Sequence, residues 1–273
     1  MASIQAVAFP SGAPAPYVDL LITGPAPVGA ATVTVSRTSE GRTFKVRGMV
    51  DLDVNSELTR RDYEAPFDRE MTYLAQYFDG GGNAVGYSEQ ASVRLPALTR
   101  GTAWWHNPLD PESAVRVMMG PNAASELTRE IESELLRVRN RSVGVMIGGV
   151  RQGLTKIPLD CITLTPGESA RFDALFGGYD RIVTGVVCIR PSGVIPLPGV
   201  LFANVSAPTQ QPYNRKQRVD PSSDWPLVGD EVAPPAPAIV RALLTYQDFE
   251  DFYSSYAEFE AAYPSYQEAS RDY

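Results

Sequence analysis

The side chains that perform most enzyme chemistry are scarce in this sequence. His106 is the only histidine, and it directly follows Trp104 and Trp105. A Ser-His-Asp or Cys-His arrangement therefore has a single candidate base. Cys161 and Cys188 each lie within an apolar, strand-like run, which favours two buried free thiols over one disulfide bridge. We expect neither cysteine to act as an activated nucleophile.

Other motifs that bind metals or phosphates are incomplete. One histidine and two widely spaced cysteines do not form the ligand pairs of common zinc sites. Asp51-Leu-Asp53 lacks the further oxygen ligands of a calcium loop, and Gly80–Gly82 has no following helix to cradle a phosphate. A carboxylate pair for glycoside hydrolysis stays open, because sequence does not give distances in space. We predict no enzyme, no cofactor and no metal.

Charge and hydropathy restrict the partners. The formal net charge is −8 and the pI is about 4.8, which argues against nucleic acid and anionic membrane surfaces. No apolar run is long enough to span a bilayer, and no basic segment followed by an apolar one marks a secretory signal.

Residues 1–97 have the alternation and turns of a β-sandwich. Residues 31–37 and 43–47 flank a turn and predict a hairpin. The run 71–78 places Tyr73, Ala75 and Tyr77 on one face, and a glycine turn and a final alternating strand over 88–96 follow. This pair of strands resembles the end of a fibronectin type III-like sandwich.

Residues 98–112 join two halves of different character. Pro108 and Pro111 each lack an amide hydrogen, which predicts neither helix nor central strand for this run. We expect a hinge in which Trp104 and Trp105 fill the contact between the domains. The alternative is that these tryptophans form an exposed contact for another protein.

The sequence pattern over 113–232 predicts a second β domain, which is a barrel or sandwich with one or two short helices. Thr165, Pro166 and Glu168 form a capping box for a helix whose buried face is Phe172, Leu175 and Phe176. An amphipathic helix is predicted over 124–138, although the end of that run also fits a strand. Residues 233–244 form a proline-rich linker.

Residues 245–273 repeat every ten residues. Each unit opens with Ser or Thr followed three residues later by Asp or Glu, so each predicts the start of a short helix. Seven carboxylates oppose one arginine, and aromatic residues recur at spacings of three and four. We expect this stripe to dock on a neighbouring protein, with docking on its own chain as the alternative. The stripe is Tyr246, Phe249, Tyr253, Tyr256, Phe259, Tyr263 and Tyr266.

The order of four pieces along the chain resembles minor tail proteins of long-tailed bacteriophages that infect actinobacteria. These pieces are the run 62–73, the Trp-Trp-His-Asn-Pro-Leu-Asp-Pro junction, the Trp225-Pro-Leu-Val strand before a proline linker, and the tyrosine-rich repeat. The resemblance implies a distal-tail or tail-tip component without catalysis, assembled in the host cytoplasm into the virion tail. Its partners would be tail tube, tape measure and tail-tip hub proteins, in a homo-oligomeric ring. A cell-surface or carbohydrate-binding β-sandwich module, which would contact host glycans, is the alternative.

Overall fold

Short alternating runs of apolar and polar residues form the strands of this protein. A computed structural model describes residues 2–54, 57–137, 139, 142–177, 185–205, 207–213 and 221–236. The N-terminal domain consists of β1 Ser3–Phe9, β2 Tyr17–Thr23, β3 Thr32–Ser39, β4 Arg42–Lys45, β5 Leu52–Asp53, β6 Glu57–Asp62, β7 Glu70–Phe78, β8 Ala84–Tyr87 and β9 Ala91–Arg94.

These strands form two antiparallel sheets packed face to face. One sheet has the order β1-β2-β6, and the other has the order β4-β3-β7-β8 with β5 on β3 and β9 on β7. Both sheets contribute to one core, in which Leu20 of β2 and Val35 of β3 are fully buried. Tyr73, Ala75 and Tyr77 point into this core, as period-2 alternation in β7 requires. The predicted N-terminal β-sandwich is confirmed, and its likeness to a fibronectin type III domain stays a prediction.

The second domain is built on a nine-stranded antiparallel sheet with the order β14-β20-β17-β16-β10-β11-β15-β19-β18. β12 and β13 pair only with each other. The strands are β10 Thr102–Asn107, β11 Asp110–Met119, β12 Thr128–Leu136, β13 Val145–Thr155, β14 Ile157–Pro158, β15 Cys161–Thr163, β16 Val186–Pro191, β17 Leu201–Val205, β18 Gln211–Pro212, β19 Ser223–Trp225 and β20 Val228–Glu231. The prediction of a second, mainly β domain is confirmed.

The single α-helix among the described residues covers one face of this sheet. α1 spans Pro166–Asp173 and continues as a 3₁₀ turn over Ala174–Phe176. The Thr165 hydroxyl accepts a hydrogen bond from the Glu168 amide at 3.2 Å, as the capping box predicts. Phe172 is fully buried, and its ring centroid lies 5.2 Å from that of Trp105 and 5.1 Å from that of Trp225.

The predicted helix over 124–138 is wrong, because most of this run is strand β12. Register shifts between Arg129 and Ser133 interrupt its alternation, so Ile131 and Leu135 fall at a spacing that imitates a helical face. The backbone hydrogen bonds of this run go to β13 instead, with Leu135 opposite Met146.

The predicted hinge over 98–112 is also wrong in its central part, because Thr102–Asn107 forms β10 at the middle of the nine-stranded sheet. The two prolines restrict less of the chain than expected. Pro108 follows the last residue of β10, and Pro111 is the second residue of β11. Neither interrupts the pairing of Trp104 with Arg116 and Arg190 on its two sides.

Candidate functional site

The central strands of the second domain are buried on both faces. One face packs in the core of the second domain, and the other contacts the N-terminal domain. In β16, Val187 and Ile189 belong to the core of the second domain. Cys188 and Arg190 alternate with them and therefore point to the opposite face. That face meets the N-terminal domain, where the ring centroid of Phe44 lies 5.9 Å from that of Phe202. We call this contact the junction.

The two tryptophans of β10 have different environments, since consecutive residues of a strand face opposite ways. Trp104 is half-buried and packs against the core of the N-terminal domain, so it lies at the junction. Trp105 is fully buried in the core of the second domain, and its indole nitrogen has no hydrogen-bond partner among the described residues. The proposed placement of Trp105 at a partner interface is therefore wrong. The other interface candidates, Tyr246, Phe249, Tyr253, Tyr256, Phe259, Tyr263 and Tyr266, lie outside the described residues.

A buried ion pair stands on the junction side of the N-terminal sandwich. Arg37 of β3 donates to Asp62 at the end of β6 over 2.5 Å, and the Tyr73 hydroxyl donates to the same carboxylate oxygen over 2.8 Å. The other Asp62 oxygen accepts the Glu64 amide at 2.9 Å. Burial has the largest single effect and lowers the pKa of Arg37, but the charges of Asp62, Tyr73 and Glu64 and the hydrogen bond to Asp62 together outweigh it, so the net shift is upward. Arg37 therefore stays charged inside the protein.

Arg190 connects the two domains directly. Its Nη1 donates to the carbonyl oxygens of Pro16 and Ala65, at 2.9 and 3.1 Å, and its guanidinium lies 4.9 Å from the centre of the Phe67 ring. Burial lowers the pKa of Arg190 to about 10, so it remains protonated at neutral pH. Its Nε and Nη2 are buried without partners among the described residues, which makes this contact specific but costly in desolvation.

A second arginine holds the last described residues against the N-terminal domain. Arg47 donates through Nε to Glu64 at 2.7 Å, through Nη1 to the Ala236 carbonyl at 2.7 Å and through Nη2 to the Pro235 carbonyl at 3.2 Å. Burial raises the pKa of Glu64, while the charge of Arg47 opposes that shift. Segment 233–236 thus returns to the N-terminal domain after β20.

A cleft of about 490 Å³ opens beside Arg47. Three arginines, two carboxylates, His106, Tyr63 and two prolines are among the residues that line it, and it lies between the edge strand β6 and the turn after β10. The lining residues are Asp19, Arg47, Thr59, Arg60, Arg61, Tyr63, Glu64, His106, Pro108 and Pro111.

His106 is the only cleft residue that sequence analysis identified as chemically interesting. It is 1% exposed, and its Nδ1 has no hydrogen-bond partner among the described residues. Burial, with the charges of Arg190 and Arg47, lowers the pKa of His106 well below its usual value. The imidazole is therefore neutral near pH 7, and it borders the cleft although it is almost fully buried.

The strands β12 and β13 form an isolated two-stranded ribbon, which we call the β-arm. Its base is attached to β20: the Leu154 amide donates to Glu231 at 3.0 Å and the Lys156 amide donates to Asp230 at 2.7 Å. Beyond this base, every residue of Arg129–Leu136 and 145–153 is exposed. The apolar side chains among and between these strands are 40% to 87% exposed. They are Ile131, Leu135, Leu136, Val143, Val145, Met146, Ile147 and Val150.

The remaining reactive groups lie inside the cores. Cys161 and Cys188 are free and buried, as the sequence favoured, and burial raises the pKa of both thiols. The part of the chain that the structure describes contains no group of three or more His, Cys, Asp or Glu side chains placed to hold a metal ion. No helix of the described residues has the length and hydropathy needed to cross a bilayer.

Comparisons with family models, with curated proteins and with solved structures gave no match to this chain. Sequence analysis missed the junction arginines, the cleft and the β-arm. The signal for the arm was present, since a predicted amphipathic run followed by Val-Gly-Val-Met-Ile places apolar residues on both sides of a turn.

Proposed function

We propose that this chain is a structural virion protein, a minor tail protein at the distal tail or tail tip of a long-tailed phage. It acts by assembling with other tail proteins into a ring or hub. The sequence resemblance supplies the kind of assembly. The observation that carries the proposal is the exposed, apolar β-arm, because no other part of the chain that the structure describes covers this element.

An isolated two-stranded ribbon is at best marginally stable in water, and contiguous exposed apolar surface marks interaction sites. In the β-arm, Leu135 stands opposite Met146 and Leu136 stands opposite Val145. Neighbouring residues of a strand face opposite ways, so both faces of the arm carry apolar side chains. The arm therefore suits insertion between two surfaces of a partner, which would cover both faces at once.

The partner in this proposal is a second copy of the chain. A ring forms when each copy presents one surface to a different surface of the next copy and the rotation closes. An arm projecting from the second domain is suited to such a head-to-tail contact. Burial of each large apolar side chain contributes roughly 1.5–3 kcal/mol, so a few arm residues suffice to offset much of the association cost. Tail tube, tape measure and hub proteins are the proposed neighbours above and below the ring, in the virion tail assembled in the host cytoplasm.

A non-catalytic role is supported by the chemistry of the described residues. Buried thiols with a raised pKa are poor nucleophiles, because the thiolate is the reactive form. The neutral His106 lies near the cations Arg190 and Arg47, which disfavour the protonated form that a general base acquires.

The test is the solution mass of the full chain and of a doubly charged arm variant, measured by light scattering. We expect the wild type to form oligomers and Met146→Lys/Ile147→Lys to remain a monomer. Val28→Lys/Val194→Lys is the matched control, because both valines are exposed apolar residues outside the arm. A control that dissociates as the arm variant does, or an arm variant that assembles as the wild type does, contradicts the proposal.

A carbohydrate-binding module without catalysis is the second candidate. One observation favours it: Tyr63 lines the cleft, and its ring centroid lies 5.2 Å from that of Tyr17 in an aromatic group that continues to the partly exposed Phe9. Aromatic faces in a cleft suit sugar rings. A glycan-binding screen on the full chain separates the two candidates, since the tail proposal places no requirement on sugars and the module proposal requires one that Tyr63→Ala abolishes.

A further inference from the structure

The cleft lies where the described chain ends. The carbonyl groups of Pro235 and Ala236 accept hydrogen bonds from Arg47, and Arg47 itself lines the cleft. The residues that follow Ala236 therefore leave from the edge of a concave surface, rather than from an end of the molecule remote from it.

The cleft carries a charge opposite to that of the whole protein. Arg47, Arg60 and Arg61 face Asp19 and Glu64 there, which gives a net charge of +1 in a chain of −8. Glu64 is paired with Arg47, and Asp19 stands opposite Arg61 in the sheet. Arg60 is exposed, and its Nη1 donates a hydrogen bond to the carbonyl of its own neighbour Thr59 at 3.0 Å. Its guanidinium thus has donors available to a carboxylate.

The interior of the cleft complements aromatic side chains. Tyr63, Pro108 and Pro111 supply apolar walls, and His106 borders them with a buried Nδ1 that has no partner among the described residues. A tyrosine has an apolar ring and a hydroxyl at its tip, and buried tyrosine hydroxyls usually find a hydrogen-bond partner. A volume of about 490 Å³ is within the range of sites that enclose a small ligand or a few side chains.

We propose that this cleft binds the acidic, aromatic C-terminal segment of the same chain, with its first ten-residue repeat, 245–254, as the occupant. That repeat combines Tyr246 and Phe249 with Asp248, Glu250 and Asp251. Its carboxylates meet Arg60 and Arg61 at the rim, and an aromatic ring enters between Tyr63 and the two prolines. This contact is within one chain and is independent of the β-arm, so it stands or falls separately from the proposed ring assembly.

The length of the connection is sufficient. Eight residues separate Ala236 from Thr245, and an extended chain spans at most about 3.3–3.6 Å per residue. The repeat thus begins within roughly 30 Å of the cleft edge, so it reaches the cleft without any rearrangement of the described domains. The sequence favoured docking on a neighbour; the position of Ala236 at the cleft is what favours the same chain.

The test is hydrogen–deuterium exchange of the backbone amides of residues 57–64 and 106–111 in the full-length chain. The wild type is compared with Tyr246→Ser/Phe249→Ser, which changes only the repeat, and with Arg60→Glu, which changes only the exposed rim. We expect exchange in these two stretches to become at least about tenfold faster in both variants, a loss of about 1.4 kcal/mol of protection. Arg171→Glu, an exposed arginine on α1, is the matched charge control and should exchange as the wild type does.

Two results overturn the proposal. If the wild type and both variants exchange at the same rate, the repeat does not cover the cleft. If the protection in the wild type increases with protein concentration, the occupant comes from a neighbouring copy and not from the same chain. Equal thermal unfolding midpoints of the four proteins show that the differences arise from docking rather than from loss of fold.

Discussion

The junction and the β-arm are both built from strands of the second domain, yet they dispose of their apolar surface in opposite ways. At the junction, Trp104, Cys188 and Phe202 on the far face of the central strands meet residues of the N-terminal sandwich. In the arm, side chains such as Met146 and Ile147 are 67% and 56% exposed. One surface is covered by the chain itself, and the other is left exposed among the described residues, where we propose that a second molecule binds.

The polar groups of the junction also distinguish it from the β-arm. Junction arginines have fixed partners: Arg37 binds Asp62, Arg47 binds Glu64, and Arg190 binds backbone carbonyls. Buried ion pairs of this kind contribute little net stability but are costly to break, and both pairs lie within the N-terminal domain. Arg190 is the arginine of this group that bonds from one domain to the other. We therefore assign rigidity to the junction and association to the arm.

The largest effect on stability is expected from Asp62→Ala. This change leaves the buried Arg37 guanidinium and the Tyr73 hydroxyl without their acceptor, which should cost about 3–5 kcal/mol of unfolding free energy. Urea denaturation measures the loss. Arg42→Ala is the control, because its ion pair with Glu231 is exposed on the arginine side and should contribute less than about 1 kcal/mol. Equal losses in the two variants would mean that the buried Arg37–Asp62 pair contributes no more than a surface pair does.

A smaller loss, about 1–3 kcal/mol, is expected from Arg190→Met. The carbonyl groups of Pro16 and Ala65 lose a charged donor, while removal of two unpartnered N–H groups offsets part of the cost. Differential scanning calorimetry should show the single transition of the wild type separating into two, since this side chain links the domains. A variant that still unfolds in one transition at the wild-type temperature would show that Arg190 does not hold the two domains together.

A smaller effect is expected from His106 on the pH dependence of the unfolding free energy. An unfolded histidine binds a proton near pH 6.5, whereas the folded His106 has a lowered pKa and stays neutral to lower pH. The unfolded state thus binds more protons below about pH 6.5, so stability falls as the pH decreases, by at most about 1.4 kcal/mol per pH unit. His106→Gln should remove this slope in urea titrations between pH 7.5 and 5.5. The raised pKa of Glu64 acts with the opposite sign and is common to both proteins. Parallel curves for wild type and variant would contradict the neutral assignment.

Much of the fold followed from local patterns. The alternation of Tyr73, Ala75 and Tyr77 identified a sandwich strand, and the Thr165–Glu168 capping box located the helix, because both signals depend on neighbouring residues. The sequence predicts a hinge where β10 lies, because the adjacent tryptophans and the nearby prolines show no alternation of apolar and polar residues. A strand covered on both faces loses the period-2 signal, and only the packed tertiary structure shows which domain covers each face.

The candidate site was less predictable for the same reason. Arg190 and its acceptor Pro16 are separated by 174 residues, and nothing local marks either as a partner. The cleft arises where β6 and the turn after β10 meet beside Arg47, and such convergence is set by packing rather than by sequence pattern. The register shifts in β12 leave Ile131 and Leu135 at a spacing that also fits a helical face, which explains the wrong helix prediction over 124–138.

The most direct test of the account is the light-scattering mass of the wild type beside Met146→Lys/Ile147→Lys, over a range of concentrations. These exposed positions should change the unfolding free energy by no more than about 0.5 kcal/mol, so any change in mass reflects association. The account predicts oligomers for the wild type and for the control Val28→Lys/Val194→Lys, and a monomer for the arm variant. A wild type that is monomeric at every concentration, with its arm equally exposed, would contradict the assignment of association to the arm.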